Sequence, residues 1–259
     1  MFSKTIFKQT LKANFKIWLI FTLITSAMLG VLLAVFEPST ISGMTDMVKD
    51  TPLAALLPDT TALGMLASTF YSIHGIILPV IFIIMTANSL IASQVDRGSM
   101  AYLLSTPTKR STVVRTQAFY LITSLLAMFS IVTVVGILTI QINDLDVNIS
   151  DFLLLNLGYF LLMFATSGIS FLFSCVFNLT KNSLAFGAGI PLTFFLFHMM
   201  SSMSGTLEKL KYISLNSLFD TNAILYGDNY LIQFITLGIV GIILYLIGMR
   251  IFQRKDLPL

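Results

Sequence analysis

Few side chains in this 259-residue chain are of a type that performs chemistry, and none stands in a recognised catalytic pattern. The chain has one cysteine, Cys175, and two histidines, His74 and His198, and no acidic residue shares an apolar stretch with either histidine. It also lacks the G-x-S-x-G nucleophile motif, the H-E-x-x-H metal motif and the G-x-x-x-x-G-K-[ST] phosphate loop. We therefore predict a non-catalytic chain with no catalytic residue, no metal site and no cofactor of its own.

One segment between two apolar stretches has the pattern of a protein-binding helix. Ser99 follows Gly98 and is predicted to cap a short helix that ends before Pro107. Three side chains at helical spacing would share its apolar face: Met100, Leu103 and Leu104. Such a helix fits a socket on a soluble partner, and changing both leucines to Asp would then break the contact without unfolding the rest. The alternative is a helix that lies on the inner membrane surface.

The elements that position this segment are those of an integral membrane protein. Apolar residues make up 56% of the chain and charged residues only 10%, whereas soluble domains carry about 25% charged residues. Six stretches are long enough to span a bilayer and contain no Asp, Glu, Lys or Arg: residues 17–36, 70–93, 116–140, 152–177, 183–203 and 231–249. A β-barrel would instead show alternation over about ten residues. We predict an all-α membrane protein with six transmembrane helices in a single polytopic domain.

The distribution of basic residues predicts that both termini are cytoplasmic. With the N-terminus inside, 12 of the 15 Lys and Arg residues lie in the inner segments 1–16, 94–115, 178–182 and 250–259. Lys and Arg concentrate on the cytoplasmic side of membrane proteins. These charges do not cluster on one basic face, which argues against a nucleic-acid partner.

The first 16 residues carry a lysine at every fourth position: Lys4, Lys8, Lys12 and Lys16. On a helix these side chains spread over about 120° of one face. We predict an amphipathic helix that lies along the inner lipid headgroups before the chain turns into the membrane. The alternative is a solvated basic tail that acts only as a topology signal. A cleaved signal peptide is disfavoured because residues 17–36 are too long for its apolar region.

The loop of residues 94–115 resembles a known family. Gly98-Ser-Met-Ala-Tyr-Leu-Leu-Ser-Thr-Pro107 is similar to the E-x-x-x-G-[ST]-x-x-x-L-L-[ST]-[ST]-P pattern of ABC-2 type transporter permeases. The six-span arrangement resembles that family over essentially the whole chain, and residues 252–259 resemble a tail of its Gram-positive members. The chain departs from the pattern at Gln94, where the family usually has Glu, so a salt bridge from this position is not expected.

The resemblance implies an ATP-driven exporter located in the bacterial cell membrane. It implies two permeases, the second being another copy or a paralogue, together with cytoplasmic ATP-binding subunits that hold ATP and Mg. The segment 94–115 would be the coupling loop, in contact with the ATPase. Its coupling residues would be Asp96, Arg97, Gly98, Ser99, Met100, Tyr102, Leu103, Leu104 and Pro107.

The resemblance also implies that the first and fifth helices of opposite permeases meet along the central pathway. The first span has a small residue at every fourth position: Thr22, Ser26, Gly30 and Ala34. The fifth span has a similar row: Ser183, Gly187 and Pro191. Small residues allow helix backbones to approach closely in lipid. These rows are therefore candidates for the dimer seam and pathway, and packing within one subunit remains the alternative.

The sequence constrains the cargo only by class. The spans are uncharged and rich in Phe, which favours an amphipathic or hydrophobic substrate over a sugar or an ion, although Phe side chains that face lipid would look the same. The Gram-positive features resemble exporters of phenol-soluble modulins and of lantibiotic-type antimicrobials. The competing hypothesis is a non-transport assembly or sensory protein that binds a cytoplasmic partner through the same loop. An ion-coupled carrier is disfavoured because its spans would be expected to carry charged residues.

Overall fold

The computed structural model describes residues 2–48, 61–105, 108–203 and 205–256, and within these residues it contains helices and turns but no strands. The α-helices are α1 (Lys4–Val35), α2 (Pro38–Val48), α3 (Ala62–Leu66), α4 (Gly75–Leu90), α5 (Ala92–Asp96), α6 (Ser99–Leu104), α7 (Arg110–Ile142), α8 (Ile149–Val176), α9 (Thr180–Met203), α10 (Thr221–Tyr226) and α11 (Leu231–Arg254). A π-helical stretch, Ala67–His74, joins α3 to α4, and two 3₁₀ helices, Gly205–Tyr212 and Leu215–Leu218, follow α9.

Six helical segments among the described residues are long and apolar enough to cross a membrane, as predicted. They are α1, the run from α3 to α5, α7, α8, α9 and α11. The predicted spans fall on these segments, and the second span continues past a break between α4 and α5. Because the chain crosses six times, its two ends lie on the same side of the bundle, which we call the terminal side. The opposite side carries α2, α3, the 3₁₀ helices and α10.

The second and fourth spans form the centre of the bundle. In the most apolar window of each span, 72% of the second and 67% of the fourth lie buried, against 39% or less of the other four. Helix α8 packs on α4, α7, α9 and α11. Its inward side carries three buried serines, Ser167, Ser170 and Ser174. Their hydroxyls reach a neighbouring helix or its backbone, which is how polar groups stabilise helix pairs in lipid.

Two prolines interrupt the helical hydrogen bonds of the spans, and α8 compensates for both. Proline has no N–H, so Pro79 leaves the carbonyl of Gly75 free and Pro191 leaves that of Gly187 free. The hydroxyl of Tyr159 donates to the Gly75 oxygen, and that of Ser170 donates to the Gly187 oxygen at 2.7 Å. A backbone carbonyl without a donor is costly in the membrane interior. These two contacts therefore allow helices with an internal proline to pack in the core.

The Ser170→Ala variant is expected to be less stable by about 1–2 kcal/mol, because the Gly187 carbonyl then loses its donor. The measurement is thermal unfolding of the purified chain in detergent. Adding Pro191→Ala to this variant should recover most of the loss, since the N–H at position 191 can then bond the same carbonyl within α9. A double variant that is no more stable than Ser170→Ala would contradict this account of the contact.

Glycines allow α8 and α11 to approach most closely. A Cβ atom at Gly168 would lie 3.2 Å from the carbonyl oxygen of Gly241, and one at Gly248 would lie 3.2 Å from the Cα of Leu172. A side chain at these positions would meet backbone, which cannot rotate away. The crossing of the fourth and sixth spans therefore depends on glycine at specific positions.

The N-terminal segment differs from its prediction. Helix α1 runs without interruption from Lys4 to Val35, so the structure has no turn between residues 16 and 17. The buried side of the first turns combines the apolar Ile6 with two polar residues: Thr10 donates to the amide oxygen of Gln117 on α7, and Ser89 of α4 donates to that of Asn14. The lysines lie exposed on the other side. The segment is therefore held against the bundle by hydrogen bonds and by the packing of Ile6 and Phe7.

Candidate coupling site

The second span breaks at Ile91 on the terminal side. Helix α4 ends at Leu90, and Ile91 has φ −129° and ψ −69°, outside helical values. The N–H of Ala92 donates instead to the buried hydroxyl of Ser174 on α8, at 3.0 Å. This bond lets the chain change direction and start the short helix α5 while its backbone stays paired.

Gly98 separates α5 from α6 and allows the second change of direction. It has φ +71°, in the left-handed region that glycine adopts without strain. Gly98 itself precedes α6 as the capping residue, whereas Ser99 was predicted in that position. Ser99 is the first helical residue, and its hydroxyl donates to the carbonyl of Gln94 at 3.2 Å. The prediction of a short helix here is confirmed, and its capping residue is Gly98.

Helix α6 turns its apolar side towards the bundle. Met100 is fully buried, and Leu103 and Leu104 are half-buried against the same cluster, which includes Ile6 and Val113. Tyr102, by contrast, is 82% exposed. The apolar face that was predicted to enter a partner's socket thus serves internal packing, because the bundle itself provides an apolar surface beneath α6.

The free surface of this segment is polar. Exposed residues here are Asp96, Arg97, Gly98, Ser99, Tyr102 and Ser105. Pro107, the last of the predicted coupling residues, lies outside the described residues. A partner that approached α6 would therefore meet Tyr102 and these polar groups.

Asp96 connects the coupling segment to the fifth span. Its Oδ2 atom accepts the backbone N–H of Thr180, the first residue of α9, at 3.0 Å. This N–H has no partner within the helix, and a carboxylate also suits the positive end of the helix dipole. The backbone N–H of Thr180, followed by its hydroxyl, holds the pKa of Asp96 below its ordinary value. The carboxylate therefore remains ionised, and the contact remains formed, at neutral pH.

Asp96 binds the α9 end of the turn that joins α8 to α9, and a cation binds its α8 end. Lys255, just beyond α11, donates from Nζ to the carbonyls of Cys175 and Val176 at 3.0 Å each. These are the last residues of α8, where the helix dipole favours positive charge. Arg110 binds the carbonyl of Lys255 at 3.0 Å, and partial burial lowers the pKa of Lys255. The turn between α8 and α9 is thus held by an anion on one side and a cation on the other.

A cavity of about 670 Å³ lies between α6 and the first turns of α1. Its lining has no charged side chain and combines amides and hydroxyls with apolar groups: Ile6, Gln9, Thr10, Ala13, Asn14, Ser89, Gln94, Ser99, Tyr102, Leu103 and Gln117. Gln94 therefore lies among neutral side chains in this cavity. This cavity separates part of α6 from α1.

The small-residue row of the first span faces α7 of the same chain. Thr22 and Ser26 are buried, and Ala34 is half-buried. A Cβ atom at Gly30 would lie 3.4 Å from the Thr139 hydroxyl and 3.8 Å from Val135, both on α7. This placement favours the alternative of packing within one subunit.

The row of the fifth span also faces inwards. Ser183, Gly187 and Pro191 are buried, and a Cβ at Gly187 would lie 3.5 Å from the backbone of Ser170 on α8. The outward side of α9 instead carries Phe186, Leu192 and Leu196. If α9 takes part in a dimer seam, this outward side is the one that would contact the second permease.

Sequence reasoning did not find the partners of the coupling segment. Ser174 and Thr180 lie 82 and 84 residues from the groups of α5 that they bind, and Lys255 lies 80 and 79 residues from the two carbonyls that it binds at the end of α8. No local pattern marks such distant contacts. Within the described ranges, no group of three or more His, Cys, Asp or Glu side chains is placed to hold a metal ion.

The architecture defines a polytopic membrane protein with six apolar helices and a short amphipathic helix, α6, on its terminal side. The family of ABC-2 family transporter proteins matches residues 7–257. The chain therefore belongs to that family, whose members are transmembrane components of transporters. No curated protein and no solved structure matches the chain.

Proposed function

We propose that the chain is the permease subunit of an ATP-driven exporter in the bacterial cell membrane. A separate cytoplasmic subunit would hold ATP and Mg and hydrolyse the nucleotide, and a second permease, either a copy or a paralogue, would complete the pathway. Membership of the ABC-2 family supports this proposal. The basic residues concentrated on the terminal side support a cytoplasmic position for that side.

The observation that carries the proposal is the exposed coupling segment. Helix α6 is fixed by Met100, while Tyr102 is 82% exposed on its outer side. A rigid aromatic side chain surrounded by polar groups is typical of the residues that contribute most to protein interfaces. The ATP-binding subunit would contact this surface, with Arg97 and Ser99 at its edge.

The Tyr102→Asp variant is expected to lose the ATP-binding subunit, because an aspartate removes the aromatic contact and introduces a charge at the interface. The measurement is the amount of ATPase that co-purifies with the chain from its native membrane. Tyr212→Asp is the matched control, since Tyr212 is 88% exposed on the opposite side of the bundle. A wild-type chain that purifies without any ATPase would contradict the exporter and favour a non-transport assembly or sensory protein.

The structure supports a modified proposal for the dimer seam. The predicted rows on α1 and α9 are occupied by packing within the chain, whereas other residues of these helices are exposed and apolar: Leu19, Leu23, Ile24, Phe186, Leu192 and Leu196. We propose that the second permease contacts these outward sides, with lipid covering what remains.

We propose a cargo that is defined by its chemical class. The uncharged spans favour an amphipathic or hydrophobic substrate, such as a peptide toxin or antimicrobial. Two phenylalanines of the fourth span, Phe160 and Phe164, stack on each other, and Phe164 also stacks on Tyr245 of α11, so they pack against the chain itself. The exposed apolar sides of α1 and α9 are therefore the better candidates for cargo contact. Stimulation of the co-purified ATPase by amphipathic peptides is the test.

A further inference from the structure

Helix α5 is hydrogen-bonded to the fourth span at its first residue and to the fifth span at its last residue. Its first N–H, at Ala92, bonds to the hydroxyl of Ser174 on α8. Its last residue, Asp96, accepts the N–H of Thr180 on α9. Between them Val95 is 3% exposed and packs in the core. Because the helix also breaks from α4 at Ile91, α5 is positioned by α8 and α9 as well as by the span that precedes it.

The connection from α5 to α6 is short and tightly hydrogen-bonded. The N–H of Arg97 donates to the Ser93 carbonyl at 3.2 Å, and the N–H of Gly98 donates to that of Val95 at 3.0 Å. On its other side α6 faces the cavity of about 670 Å³ that separates it from α1. A displacement of α6 would therefore be transmitted through α5, while the cavity leaves room towards α1.

We propose that Asp96 is a positioning residue that joins the N-terminus of α9 to the α5–α6 unit, so that α6 and the fifth span move together. This inference rests on the proposed function, in which the ATP-binding subunit pushes on α6. The contact would make the fifth span respond to the ATPase, although no residue of α9 lies in the coupling loop. Asp96 acts here through the backbone of α9 and touches neither nucleotide nor cargo.

The effects of substitutions distinguish a connecting role for Asp96 from one that only stabilises the turn between α8 and α9. Lys255 stabilises the same turn from the α8 side without touching α5 or α6. Losing Lys255 would loosen the turn, whereas losing Asp96 would separate α9 from the coupling segment. Lys255→Met is therefore the matched control for Asp96→Ala. Asp96→Asn is the conservative variant, because an asparagine oxygen can still accept the Thr180 N–H.

The first measurement uses the purified chain alone, with spin labels on Ser105→Cys in the residue after α6 and on Asn182→Cys in the first turn of α9, both at exposed positions. The buried Cys175 is replaced by Ala in this background. Double electron–electron resonance spectroscopy then gives the distribution of distances between the two spin labels. We expect a narrow distribution with Asp96 or Asp96→Asn, a broad one with Asp96→Ala, and a narrow one with Lys255→Met.

The second measurement uses the unlabelled complex and compares ATP hydrolysis with export of a stimulating peptide. Per molecule of bound ATPase, Asp96→Ala should export less peptide for each ATP hydrolysed, and Asp96→Asn should restore this ratio. A narrow distance distribution in Asp96→Ala would overturn the proposal, as would equal broadening in Lys255→Met. A wild-type chain without an ATPase would contradict the proposed function instead, and the distance measurement would still decide whether Asp96 joins the two helices.

Discussion

Replacing Gly241 by leucine is expected to lower the melting temperature of the purified chain by roughly 5–10 °C, and to reduce the yield of folded protein. A Cβ atom at this position would lie 2.5 Å from two ring carbons of Phe164 and 3.3 Å from the Cα of Ala165. The Phe164 ring is stacked on Phe160 and Tyr245, and the Ala165 backbone belongs to α8. Overpacking of this kind costs about 1–3 kcal/mol and more where backbone must move.

A matched control lies one turn earlier on the same helix. The atom nearest to a Cβ at Gly238 is a Leu161 methyl carbon at 4.0 Å, which is ordinary contact. Gly238→Leu should therefore leave the melting temperature near that of the wild type, since the replacement also favours the helix. Thermal unfolding of both variants in one detergent provides the comparison. Equal losses in the two variants would show that any side chain on this face is harmful, and the argument from the α8–α11 approach would fail.

The Met100→Asp variant is expected to destabilise the terminal side of the bundle. Met100 is fully buried beneath α6, and losing the burial of such a side chain costs about 2–5 kcal/mol. An aspartate at this site would also place an unpaired charge among apolar side chains. We expect a lower melting temperature together with faster protease cleavage of residues 97–105, because α6 would detach from the core before the spans unfold.

The neighbouring Tyr102→Asp variant tests the exposed side of α6, whereas Met100→Asp tests its buried side. It introduces the same charge two residues away, where the side chain is 82% exposed, so the melting temperature and the protease pattern should stay at wild-type values. Its expected defect is the loss of the ATP-binding subunit alone. If Tyr102→Asp destabilised the chain and Met100→Asp did not, the orientation of α6 in the structure would be contradicted.

Much of the architecture could be predicted from the sequence because the membrane imposes strict local requirements. A span needs about 20 apolar residues with all backbone groups paired inside the helix, so six charge-free runs are sufficient to predict six helices. The short helix α6 was also visible, since Gly98 and the leucines after it form a local pattern. The family match over residues 7–257 agrees with that pattern.

The tertiary structure alone decided which side of each helix meets protein. Lipid and a protein core favour the same apolar side chains, so hydrophobicity in the sequence does not distinguish the inward side of α9 from the outward one. The small-residue rows at Gly30 and Gly187 proved to pack on α7 and α8. For the same reason the apolar side of α6, predicted to face a partner, covers the chain's own core.

Long-range polar contacts also depended on the folded chain. Asp96 and Thr180 are 84 positions apart, and Ala92 and Ser174 are 82, so no spacing rule connects them. Each pairs a backbone N–H at a helix start with an oxygen from another helix, and many polar side chains in the sequence have the chemistry to provide it. The sequence by itself determined the helices and the side of the membrane predicted for each loop. Which oxygen meets which N–H was decided only when the six helices packed, because that pairing is a property of their relative positions.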